Sequence, residues 1–192
     1  MMNGDESTVY IIAGTLYNYL STPIYDMCIL PEIPDMAEEN LSSVTILGTV
    51  STTLTASQEE TDTAGEAEEG SDDADAAEED AAVTVTWTDN QGTDVTDNEL
   101  LTALLTELET FTLDKCADWR PSDEAASICG FDAPSAVAEI AMGETTLTIT
   151  VGGATLDGTG YYVRLDDDTT IYQATTANVD TLLSVAAGGI GA

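Results

Sequence analysis

Residues Ser135 to Ala174 read SAVAEIAMGETTLTITVGGATLDGTGYYVRLDDDTTIYQA. Four short runs stand out in it: Ala136 to Ile140, Thr145 to Val151, Tyr161 to Leu165 and Thr170 to Ala174. Apolar and polar residues tend to alternate along them, the period of a strand with one buried face. Glycine turns and the Asp166-Asp167-Asp168 turn divide the runs. Spacings this short join antiparallel neighbours, so the stretch predicts a β-meander.

The flanks supply more elements. Upstream, Asp94-Val95-Thr96-Asp97 opens a helix that Thr96 or Asp97 can cap, followed by Leu100, Leu101, Leu104, Leu105 and Leu108 at helical spacing. That leucine stripe reads as core. A shorter helix starts at Pro121-Ser122, carries Asp123 and Glu124 in its first turn and stops at Gly130. Thr176 to Val185 reads as a closing helix. Still further upstream, Val44 to Val50 and Thr52 to Ala56 read as two strands around a turn, and Ala82 to Trp87 alternates as a third. The fold class is α+β, an antiparallel β-meander sheet with a few helices packed on it.

One segment breaks the pattern. Ser57 to Asp80 reads SQEETDTAGEAEEGSDDADAAEED, with twelve acidic residues, no basic residue and no large apolar one. Such a run cannot bury enough surface to offset its ordering entropy, so a solvated or disordered loop is expected between neighbouring strands. It lacks the ligand register of an EF-hand calcium loop.

At the start, Asp5 to Leu20 shares threonine, tyrosine and leucine offsets with Asp167 to Leu182, including Tyr10 against Tyr172. This predicts two related strand–helix units, the first being the tail of an upstream copy. The expected organisation is therefore residues 1–40 as repeat tail and connector, 41–56 as strands and 57–81 as the acidic flexible insertion. The main α+β unit then covers 82–186, and 187–192 form a flexible tail.

Charge excludes several functions. The 192 residues hold 37 acids against three cations, Lys115, Arg120 and Arg164, with no histidine and a formal net charge of −34. Nucleic-acid binding needs a basic face, and an anionic membrane surface would repel this chain. No glycine-rich phosphate loop appears, and no cofactor or metal is expected. Cations, neutral ligands and other proteins remain as partners, beside the plain reading that charge keeps the chain soluble and monomeric. Cys28, Cys116 and Cys129 form no CxxC. A Cys116–Cys129 disulfide and separate buried thiols both fit the spacing.

The pattern Cys129-Gly-Phe-Asp-Ala-Pro134, Leu147-Thr-Ile-Thr-Val-Gly152, Gly158-Thr-Gly-Tyr-Tyr-Val-Arg164 and Ile171-Tyr172 resembles a bacterial family, domain-of-unknown-function family 4340 (DUF4340). The likeness runs from about Val83 to the C-terminus and more weakly over Val9 to Leu54. It implies a domain held outside the cytoplasmic membrane by an N-terminal helix, accessory to an ABC-transporter assembly of the gliding-motility auxiliary type. No stretch here approaches the roughly 18 apolar residues of a membrane span. Met1 to Ser7 also lack a signal peptide's pattern, so the expectation is a cytosolic protein or a chain cut from a longer, tethered one. The resemblance carries no catalytic residues.

Without histidine the common nucleophilic triads are unreachable, and acids are too abundant for two neighbouring carboxylates to mean a hydrolase. Two clusters remain. Tyr162, Arg164 and Tyr172 are expected to share one sheet face as an interaction patch, with core packing of the tyrosines and pairing of Arg164 with aspartates as the alternative. Trp119-Arg120 is the second cluster, a binding edge with Trp87 nearby, or a packed tryptophan beside an ion-paired arginine. The function expected is a non-enzymatic extracytoplasmic interaction or accessory domain. The alternative is a ligand-binding module for a cation or a small neutral molecule such as a sugar.

Overall fold

The structure, a computed structural model, describes Gly14, residues 24–60 and residues 83–191. Eight strands form one sheet: β1 (Ser43–Leu47), β2 (Thr52–Glu60), β3 (Val83–Thr88), β4 (Lys115–Asp118), β5 (Ala136–Met142), β6 (Thr145–Ala154), β7 (Gly160–Leu165) and β8 (Ile171–Thr175). Their order is β3-β2-β1-β5-β6-β7-β8-β4, and every pairing is antiparallel. The expected meander is β5 to β8. It joins the upstream meander of β1 to β3 through the β1–β5 pair, while β4 forms the far edge. The helices are α1 (Glu99–Glu109), α2 (Asp123–Ile128) and α3 (Asp180–Gly188), so the α+β class holds.

One face of the sheet carries the main core. Val44, Ile46, Leu54, Ile140, Ile149 and Val163 are each fully buried there. α1 covers them with Leu101, Leu104 and Leu108, while Leu100 and Leu105 flank the stripe half-buried. α3 adds Leu182 and Val185. Transferring each such side chain out of water contributes about 1.5–3 kcal/mol.

The chain crosses this face only once between β3 and β4, the two sheet edges. α1 spans the core face on the way to β4, and α2 returns beneath the opposite face to β5. Close approach there depends on glycine. A Cβ on Gly152 would collide with the Cys129 carbonyl and meet the Phe131 ring at 3.3 Å. The helix end is a Schellman turn, as Gly130 was expected to provide: Phe131 N–H donates to the Ala126 carbonyl and Gly130 N–H to that of Ser127. Gly130 has φ +87°, which suits glycine. At the other end the Ser122 hydroxyl caps the Ala125 N–H at 3.1 Å.

The helix termini are secured unevenly. α1 is capped by Asn98, which accepts from Leu100 and Leu101, and not by Thr96 or Asp97. Thr96 Oγ1 is instead taken by the Trp87 N–H at 2.9 Å, closing the outer edge of β3. α3 has no cap of its own at Val179. Glu107 supplies one from α1, accepting from the N–H groups of Thr181 (2.7 Å) and Leu182 (2.9 Å). The closing helix therefore begins at Asp180 after a short 3-10 turn at Thr176–Asn178, later than expected.

Three boundaries need correction. Ser57 to Glu60 belong to β2 and pair with Val83 to Thr86, so the acidic run starts inside a strand; residues 61–82 lie outside the described residues. The strands on either side of the run are neighbours, as expected, since β2 pairs with β3. The end of the chain is not a free tail up to Gly191: Ile190 is buried, and its carbonyl accepts from Asn98 Nδ2 at 2.9 Å. Within the expected connector, Met36 and Leu41 are core residues. The repeat reading rests on Asp5 to Leu20, Tyr10 included, which lie outside the described residues apart from Gly14.

Glu107 gives a direct test. Burial pushes its carboxyl pKa up, against the pull of the Leu182 and Thr181 N–H donors. The native state then holds this proton more tightly than the unfolded chain, so the group's contribution to stability falls as pH rises through its native titration. Urea unfolding should show Glu107→Ala losing about 2 kcal/mol and Glu107→Gln less, with that pH dependence absent from Glu107→Gln. Independently, Gly152→Ala should release the Cys129–Phe131 turn, read as faster amide exchange in α2 with β5 to β7 still protected.

Candidate functional site

The sheet end formed by β7, β8 and β4 holds most of the candidate residues. β4 ends in Asp118, where the register against β8 shifts between Cys116 and Asp118. Such an irregularity re-aims the residues that follow. Trp119 emerges 53 % exposed, and its carbonyl accepts from Thr170 Oγ1 at 3.3 Å. Arg120 turns back so that its guanidinium lies 4.1 Å over the Trp119 ring. Asp118 Oδ1 fixes that turn, accepting from the Arg120 N–H at 3.1 Å.

A 3-10 turn, Ile24–Met27, lies alongside β4. Tyr25 donates its hydroxyl to the same Asp118 Oδ1 at 3.4 Å. The Asp118 charge, more than burial, raises the Tyr25 pKa. Two clefts flank this bond. One, of about 480 Å³, is chiefly apolar and is lined by Tyr25, Met27, Cys28, Asp118, Trp119 and Arg120. The other, of about 400 Å³, lies toward Lys115, Cys129, Tyr162 and Ile171. Tyr25 and Asp118 line both.

The expected patch is divided by the sheet. Tyr172 pairs with Val163, not with Tyr162 or Arg164, because the register runs Tyr162↔Gln173 and Val163↔Tyr172. Paired residues share a face, so Tyr172 points into the main core, where it is 6 % exposed and donates to Asp168 Oδ2 at 3.2 Å. Tyr162 and Arg164 occupy the opposite face. Arg164 stacks 4.2 Å over the Phe131 ring, with its Nε buried and unpartnered. Tyr162 lines the smaller cleft. Trp87 lies far from Trp119: it sits fully buried on β3 at the other sheet edge, donating Nε1–H to Glu38 Oε1 at 2.9 Å.

Of the two arrangements that fit the cysteine spacing, the structure has separate thiols and no Cys116–Cys129 disulfide. Cys116 is buried on the core face, while Cys129 lies beyond the opposite face against Gly152 and Gly153. All three cysteines are free thiols. The thiol that acts on Cys116 is that of Cys28, which helps burial to raise its pKa. Sequence reasoning missed Cys28, Tyr25 and Met27, because nothing local to residues 24–28 reports where β4 lies.

A third, larger cleft of about 670 Å³ runs between Pro34 and Thr145. Its polar groups are occupied within the fold: Asp35 accepts from Ala37 N–H and Asn40 Nδ2, and Gln58 Nε2 donates to the Glu39 carbonyl. No aromatic ring lines it. Among the described residues no group of three or more Cys, Asp or Glu is placed to hold a metal ion, and no helix is long and apolar enough to cross a membrane.

Neither a curated protein nor a solved structure matches the chain. A family model described as "Domain of unknown function (DUF4340)" matches residues 87–187, which run from the last residues of β3 through almost all of α3. That span is more than half of the 192 residues and includes the Gly130–Phe131 turn, the Trp119–Arg120 corner and the β5–β8 meander. The chain belongs to the DUF4340 family.

Proposed function

We propose that this chain is a non-enzymatic interaction domain that captures a protein partner at the Trp119 cleft. In this reading it works outside the cytoplasmic membrane as an accessory of a membrane transport assembly, tethered by a segment beyond this chain. The observation that carries the proposal is Trp119 itself, held half-exposed under a stacked Arg120 at the mouth of an apolar cleft. Tryptophan and arginine are the commonest energetic anchors of protein interfaces, and exposed aromatic–apolar clusters mark contact sites. Tyr25 at 42 % and Met27 at 64 % exposure extend the same surface. Asp26 and Asp118 border it within a chain of net charge −34, so the complementary surface is an apolar side chain framed by basic residues.

The cleft volume supports a second reading. About 480 Å³ with aromatic walls lies within the range of small-molecule sites, which suits a small neutral ligand. The many surface acids leave a cation as the other ligand of that class.

Arg164 is a poor position for a test, because replacing it strips the packing of Phe131. The test is capture from solubilised membranes by the chain and by its Trp119→Ala and Arg120→Glu variants. Capture should fall more than tenfold with Trp119→Ala, a loss of about 2 kcal/mol for an interface anchor. Emission from the buried Trp87 should stay unchanged, reporting an intact fold. Equal capture by both variants would remove the cleft from the interface. A thermal shift produced by a neutral sugar and abolished by Trp119→Ala would favour the ligand reading, and saturable hydrolase activity would overturn the non-enzyme one.

A further inference from the structure

Cys28 and Cys116 are 88 positions apart in sequence (116 − 28), yet the fold lays the turn that leads into Cys28 against β4, the strand that carries Cys116. The Cys28 thiol is among the groups that raise the Cys116 pKa. The adjacency is built from several contacts. Cys28 N–H donates to the Tyr25 carbonyl at 3.3 Å, closing the 3-10 turn that lies along β4. Tyr25 in turn is fastened to Asp118, two positions beyond Cys116 on the same strand. Leu30 and Ile33, following Cys28, pack against the main core, to which Cys116 also belongs. The turn and the strand are thus held together on both sides of the thiol pair.

We propose that Cys28 and Cys116 are a disulfide-forming pair that fastens the segment from Ile24 to Ile33 onto edge strand β4. The reactant is a disulfide-bearing oxidant, either a thiol–disulfide oxidoreductase or a small-molecule disulfide. Cys28, half-buried and lining the Trp119 cleft, is the thiol such an oxidant reaches. Its thiolate attacks one oxidant sulfur, forming a mixed disulfide and releasing the first oxidant thiolate. The Cys116 sulfur then attacks Cys28 Sγ, breaking the mixed disulfide and releasing the second. Two thiols lose two protons and two electrons, and the oxidant disulfide leaves as two thiols.

Cys116 is the slow partner. Burial, then the Cys28 thiol, then the charges of Asp118 and Asp168 push its thiol up to about 11. Thiolate is scarce there at neutral pH, so closure should accelerate as pH rises toward that value, the attacking form being the thiolate. Cys129 takes no part in this pair: although it lines the smaller cleft with Cys116, its backbone is fastened to β6, where its carbonyl accepts from the Gly153 N–H at 2.7 Å.

The proposal goes beyond the interaction reading and does not depend on it. Oxidised glutathione is the probe for the full chain, followed by alkylation and digestion at Asp and Glu. Free thiols should fall from three to one, with Cys28 linked to Cys116 and Cys129 alkylated. Cys129→Ser should cross-link equally. Cys28→Ser and Cys116→Ser should not cross-link, and both should lose the rise in Tm that accompanies oxidation. A Cys116–Cys129 link, a lasting glutathione adduct on Cys28 beside free Cys116, or three thiols remaining would each overturn the pairing. A pair that closes in the tube but is reduced in the source cell would support the pairing while removing the extracytoplasmic reading, since reducing compartments keep such thiols open.

Discussion

Glu107 joins the two helices on which the core depends. The main core lies on one face of the sheet, and among the described residues α1 and α3 are the helices that supply buried side chains to it, beside Met36 and Leu41 of the connector. α3 has Val179 at its N-cap, a residue that offers the helix no side-chain oxygen. Its first N–H groups would be left without partners inside the protein, each costing about 1–3 kcal/mol. Glu107 meets two of them from the last turns of α1, where a carboxylate also complements the positive end of the helix dipole. The same carboxylate is 6 % exposed, so the cap is held in a setting that disfavours its own charge. Helix packing and helix capping are here one interaction.

Much of this architecture was legible along the chain because it is local. The β5–β8 meander followed from short spacings, the leucine stripe from its period, and α2 from Ser122 and Gly130. What escaped was decided at long range. Lys115 to Asp118 carries no clear alternation and is a strand because β8 offers an edge beside it. Thr96 is a good cap by type, but the Trp87 N–H claims its hydroxyl and the cap falls two residues later at Asn98. Ser57 to Glu60 look like loop by composition, yet backbone pairing with β3 holds them. Tyr172 shows how little separates the two faces. The connection after Asp166 sets the β7–β8 register, and a change of one residue there would have moved the ring to the other side.

The few cations are not spread evenly. Lys115 lies on β4, Arg120 is two residues beyond its end, and Arg164 is on β7, two strands inward. All three therefore lie toward the β7–β8–β4 end of the sheet, where they are outnumbered by acids such as Asp118 and Asp168. Charges placed around a cleft in this way orient an approaching charged surface before contact.

The match of residues 87–187 to the family leaves β1, β2 and most of β3 on the other side of its boundary. Those strands are nonetheless continuous with the rest, since β1 pairs with β5 over Ser43 to Leu47 and lends Val44 and Ile46 to the shared core. A fragment trimmed to the family limits would bare the long flank of β5, from Val137 to Ala141, with its backbone donors and acceptors unpaired. An open flank of that kind recruits strands from other molecules. The span matched by the family and the folded sheet are therefore different objects, and trimming to the former invites aggregation.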